Sequence, residues 1–157
     1  MTALWDAAVR LYGRPGVRAL CLELQDAHGI DVPVLLTGAW SMARGVTVDA
    51  ARWRALEAQS RVWQGSVVAG LRGVRRAVLD AAPAMGVSAA DAAALKRQIQ
   101  ALELAAERAQ LDALAAFTAD WPATATPPAG DLAALLPSLP RARWAPLDDA
   151  IRAEAMP

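Results

Sequence analysis

The apolar residues of this chain recur almost throughout at intervals of three and four, and its β-branched residues are sparse and follow the same spacing instead of alternating. That periodicity suits one face of an α-helix and not one face of a pleated strand, so the expected fold is all-α. A chain of 157 residues can bury one substantial core and is too short for two ordinary domains. The 55% hydrophobic content counts alanine, so much of it is helix propensity and not bulky core. The architecture this predicts is a compact helical bundle of about five to six main helices, with a Pro-containing linker and short C-terminal helices.

Glycine, proline and capping residues divide the pattern. A first helix is expected over Ala3–Tyr12, with Leu4, Ala8 and Leu11 as its buried stripe. Gly13-Arg14-Pro15-Gly16 ends it, Pro15 suits the first turn of a second helix running to His28, and Gly29 suits its left-handed close. Asp31 is an N-cap candidate for a third helix that tolerates Pro33 in its first turn, buries Leu35, Leu36, Ala39, Trp40 and Ala43, and stops at Gly45. From Val48 to Ala81 the residues Trp53, Leu56, Trp63, Val67, Leu71, Val74 and Val78 share a face, so Trp40, Trp53 and Trp63 are expected in the core. Pro83 and Gly86 then turn the chain, and Ser88 with Asp91 resembles a capping box at the start of a long helix.

Within that long helix Leu95, Ile99, Leu102, Ala106, Ala109, Ala113 and Ala116 step by fours and threes, the spacing of a coiled-coil seam. The favoured expectation is an antiparallel pair with the preceding helix; a homodimer through this seam (residues 95–116) is the alternative. After Trp121 the Pro- and Thr-rich run to Gly130 reads as a linker. Short helices are expected over Leu132–Leu139 and Pro146–Ala155, packing loosely or mobile. The expected organisation is therefore a bundle over 1–120, a linker over 121–130 and a tail over 131–157, and a chain ending near Ala119 should stay folded.

Charge balances overall but is segregated. Residues 1–43 carry three Arg against four acids, residues 44–76 seven Arg against two acids, and residues 77–157 six basic against ten acidic side chains. Arg54, Arg61, Arg72 and Arg76, with Arg75 just outside, would line one side of a continuous helix, a candidate anion-binding stripe for nucleic acid or a phosphorylated ligand. The competing expectation is that the stripe meets the acidic C-terminal third or faces water, and a kink near Gln64-Gly65 would split it.

Residues 1–30 lack a basic segment leading into an unbroken apolar one, and no apolar run approaches the roughly 20 residues of a membrane span, so the expected location is the cytoplasm without integral membrane association. Cys21, alone in the chain, is expected as a buried small hydrophobe. One Cys and one His give no metal-ligand spacing, and no phosphate-binding glycine loop occurs, so no metal or cofactor is expected. The polar cluster Glu23, Gln25, Asp26, His28 and Asp31 is the one place where acid/base chemistry could assemble; capping and hydrogen bonding of a turn is the more ordinary use of such residues.

The strings Leu4-Trp5-Asp6, Leu11-Tyr12-Gly13-Arg14-Pro15-Gly16-Val17, Cys21 to Val32, Leu35-Leu36 and Trp40, with the later Trp63, Leu71, Arg75 and Arg76, resemble an uncharacterised, mainly proteobacterial helical family. The resemblance spans residues 4–80. It implies a bacterial all-helical protein and no particular activity. The favoured function is a non-catalytic protein-interaction or regulatory module. Anion binding through the arginines comes second, and an enzyme centred on Glu23, Asp26 and His28 third.

Overall fold

The computed structural model describes residues 3–155. Its helices are α1 (Ala3–Tyr12), α2 (Val17–His28), α3 (Val32–Ala43), α4 (Ala50–Trp63), α5 (Ala69–Met85), α6 (Ala89–Phe117) and α7 (Ala145–Ala155), with a π turn at Gln64–Val68 and 3₁₀ turns at Leu132–Ala134 and Arg141–Trp144. Among the described residues there is no strand, only isolated bridges from Val46 to Ala123 and from Val48 to Gly130.

The caps explain most boundaries. Gly29 closes α2 at φ 66° and returns its N–H to Gln25 and Leu24, a conformation a Cβ would strain. Ser88 accepts the Asp91 N–H at 3.0 Å and its hydroxyl donates to the Asp91 carboxylate at 2.7 Å, tying down the first turn of α6. Pro83 does not end α5. It occupies the last turn, where the helix runs on to Met85 and closes at Gly86, φ 70°.

The chain divides into two units, one comprising Met1–Ser60 with Leu111–Pro157 and the other Arg61–Gln110. The division falls inside α4 and α6, and the Pro-containing stretch at 121–130 belongs to the first unit. In that unit α3 is the central helix, buried nearly all round and packed against α1 and α7, while α7 also contacts α1 and α2. Leu4, Leu11, Val17, Leu24, Leu35, Leu132, Trp144, Leu147 and Ile151 share one core, so the tail segment supplies core residues; its short helix gains its stability from that packing and not from propensity. The stretch before it is pinned by backbone bonds from Ala125 N–H to Gly45 O (3.1 Å) and Ala129 N–H to Met42 O (3.1 Å).

Trp53 lies 1% exposed with its ring against Gly38, and its Nε1 donates to the Asp131 carbonyl at 3.0 Å. Trp40 is half-buried against the core, with Arg44 stacked 4.2 Å above its ring. Ion pairs join Arg10 to Glu154 and Arg143 to Glu23, tying the tail to α1 and α2.

Candidate functional site

The second unit is a helical hairpin in which α5 and the first part of α6 run antiparallel. Its entry is set by the π turn, where the Ala69 N–H reaches back five residues to the Gln64 carbonyl. That turn holds one residue more than an α-turn, so everything after it is rotated by about a quarter turn relative to a uniform helix. Val68, rather than Val67, is consequently the fully buried residue. Arg61 is likewise out of phase with Arg72 and Arg76. Trp63, expected in the core, is 41% exposed, with its Nε1 donating to the Ala106 carbonyl at 3.0 Å.

One face of the hairpin carries charge. Arg72 donates to Glu103 at 3.1 Å and to Glu107 at 3.3 Å, and Arg75 reaches the other oxygen of Glu103 at 2.8 Å. The Arg72 and Glu103 side chains are only 13% and 12% exposed, so these bonds are poorly screened and fix the register of the two helices. Two of the five candidate anion-binding arginines are thereby committed to carboxylates of the same unit. Arg54, Arg61 and Arg76 remain exposed.

The other face is apolar. At about 100° per residue, Val74 and Met85 lie about 140–160° from Arg72 on α5, and Leu95 and Leu102 lie about 120–140° from Glu107 on α6. Because the helices are antiparallel, both displacements point to the same side of the hairpin. Val74 is 53% exposed, Met85 80%, Leu95 47% and Leu102 58%. Between them lie Gly70, Ala77, Ala81, Ala105 and Ala109 and the polar Gln98, all exposed, and Val78, half-buried. Within these arcs the sole charged residue between 70 and 109 is Asp91, at the start of α6. The expected seam of α6 is thus split: Ile99 and Ala106 are buried, whereas Leu95 and Leu102 face outward. Sequence reading gave all of these one role because a single helix pattern does not say which of two adjacent stripes an intramolecular neighbour takes.

The polar cluster lies in the first unit. Glu23 accepts from Arg143, and Asp31, at the N-cap of α3, accepts the Ser60 hydroxyl. Gln25 is half-buried, and Asp26 and His28 are exposed at the end of α2. Among the described residues no group of three or more His, Cys, Asp or Glu is placed to hold a metal ion. Cys21 is buried, and desolvation pushes its thiol up to about 12.

A groove of about 350 Å³ in the same unit is lined by Asp131, Arg141, Trp144, Asp148 and Arg152. Arg141 already holds Asp131 at 2.8 Å, and burial raises the Asp148 carboxyl against the opposing pull of Arg152. Sequence reading missed this groove, because its residues come together only when the tail folds back.

These features define an all-α protein in which, among the described residues, no helix is long and apolar enough to cross a membrane and whose second unit carries a charged and a largely apolar face. The chain belongs to the family described as a protein of unknown function (DUF2390), which matches residues 3–114. The match thus runs beyond residue 80 and takes in the whole hairpin. Neither a curated protein nor a solved structure matches the chain.

Proposed function

We propose that the protein is a non-catalytic protein-interaction module whose contact surface is the apolar face of the α5–α6 hairpin. The observation that carries this is the grouping of Val74, Met85, Leu95 and Leu102, each about half exposed or more, on a side of the unit where Asp91 is the sole charged residue; Leu79 and Leu104 are comparably exposed but stand among the charges of the other side. Exposed apolar side chains scattered singly are ordinary, but a contiguous group of this size on one face is the signature of a surface that docks. Glu23, Asp26 and His28 offer a weaker basis for catalysis, since Glu23 is engaged by Arg143 and the other two lie open to solvent at a helix end.

The test is affinity capture with the tagged full-length chain and with Leu102→Glu. Leu102 is 58% exposed, so the variant should melt like the parent while losing its bound proteins. An identical set of captured proteins for both would refute the assignment of this face.

A further inference from the structure

We infer that the groove beside α7 binds a small α-amino acid, holding its ammonium on Asp148, its carboxylate on Arg152 and a side-chain oxygen on the Trp144 indole N–H. The site is independent of the hairpin face: its residues belong to the first unit and lie beyond the stretch 3–114 that the family match covers.

The indole carries the argument. Trp144 lines the groove yet is 1% exposed, and its Nε1–H meets no acceptor among the described residues. A buried donor in this state is uncommon, and it carries a cost that phenylalanine, of similar shape, would avoid. Trp53 shows the ordinary outcome, its Nε1 donating to the Asp131 carbonyl. Since the rest of the Trp144 ring is packed into the core, the groove is the side from which an acceptor can reach it.

Asp148 and Arg152 follow at intervals of four, so the three side chains form one strip along the helix, turning by about 40° and rising by about 6 Å at each step. Asp148 is half-buried, and Arg152, the partner its spacing favours, donates instead to Asp149 at 2.9 Å. That pair is exposed and contributes little, so Arg152 readily exchanges it for a ligand carboxylate. The remaining charges of the wall are already engaged. Arg141 donates through Nη1 and Nη2 to Asp131 at 3.2 and 2.8 Å, and Asp131 also accepts the Ala133 N–H at 2.9 Å.

What the groove leaves open is therefore one carboxyl group flanked by two donors, an indole N–H and a guanidinium. An anion alone would face Asp148 and a cation alone would face Arg152, whereas a molecule carrying both charges answers each. Burial raises the Asp148 carboxyl, and an ammonium beside it offsets that loss of solvent. The space of about 350 Å³ is at the small end of ligand pockets and suits a molecule of amino-acid size.

Nuclear magnetic resonance on the full chain tests this. Each of the six tryptophans contributes one indole N–H resonance, and Trp144→Phe identifies the one from position 144. L-glutamine, which carries the ammonium, the carboxylate and a side-chain carbonyl, should shift that resonance saturably, at concentrations where acetate and methylamine leave it in place. Asp148→Asn and Arg152→Gln should each weaken L-glutamine by about tenfold or more, with helix content and melting unchanged. In calorimetry Trp144→Phe should lower the affinity for L-glutamine to that for glycine, which has no side-chain oxygen. Should that variant fail to fold, the Asp148 and Arg152 variants decide the matter. The absence of a saturable shift with L-glutamine, an equal response to acetate, or an affinity indifferent to Asp148→Asn and Arg152→Gln overturns the inference.

Discussion

Replacing Gly38 with alanine sets two well-understood effects against each other. Within a helix the change should stabilise by about 1 kcal/mol, because glycine has the greater backbone freedom to lose. The structure says the opposite will be measured. A Cβ at position 38 would lie 2.0 Å from Cη2 and 2.1 Å from Cζ3 of Trp53, against an ordinary carbon–carbon separation of about 3.5–4.0 Å. The ring must withdraw by about 1.5 Å, yet it is 1% exposed and anchored through Nε1 to the Asp131 carbonyl at 3.0 Å. Overpacking costs about 1–3 kcal/mol, and disturbing the indole hydrogen bond costs about 1 more. Against the propensity gain, the net expectation is a loss of about 2 kcal/mol. Urea and thermal unfolding measure it directly, and a cycle with Trp53→Leu isolates its cause. With the smaller side chain opposite, Gly38→Ala should become neutral or stabilising, a coupling of about 2–3 kcal/mol. A Gly38→Ala protein as stable as the parent, with Trp53 in place, would refute the packing argument.

Other expectations can be checked with equal economy. A chain ending at Ala119 removes Leu132, Trp144, Leu147 and Ile151 from the core, so cooperative unfolding of the first unit should disappear; a sharp transition in the truncated chain would show that these residues are dispensable. A double-mutant cycle of Arg72→Gln with Glu103→Gln should give a coupling of about 1 kcal/mol, above the usual exposed pair because both side chains are largely buried, and a value near zero would remove the pair from the forces that set the hairpin register. The Cys21 thiol should resist a disulfide reagent at pH 8 until the protein is unfolded. Because its folded value of about 12 exceeds the ordinary 9.0, its contribution to stability is complete below pH 9.0 and is lost as pH rises towards 12; rapid native labelling at pH 8 would contradict its burial. If the arginines bind phosphate, affinity for nucleic acid should fall steeply with salt, and Arg76→Gln should lower the log–log slope by about one; an unchanged slope removes Arg76 from that role.

The parts of the fold written in local chemistry could be read before the structure. Gly29 and Gly86 close helices because a left-handed residue there costs glycine little, and the Ser88–Asp91 pair opens one because a hydroxyl can reach an unpaired N–H. The tail could not be read in this way. Its helix α7 is short, follows a Pro-rich stretch, and owes its place to Leu147 and Ile151 meeting surfaces on helices far away in sequence. An irregularity near Gln64-Gly65 could be anticipated, but not its form as a π turn, since one additional residue in a single turn leaves the composition untouched. The candidate site divides along the same line. The arginines were legible as charge, but Glu103 and Glu107 emerge as their partners only once the hairpin register is known.

The ion pair between Arg10 and Glu154 joins positions 144 apart in the chain, and α1 rests on α7 there. During synthesis α1 and α3 therefore leave the ribosome with the apolar surface meant for α7 uncovered, and the entire hairpin is made before α7 follows. At about 5–20 residues per second that interval lasts on the order of ten seconds, long compared with helix formation and collapse. The N-terminal helices must spend it as a partly assembled core, so a chaperone that shields exposed apolar helices has its natural window between the emergence of α3 and that of α7.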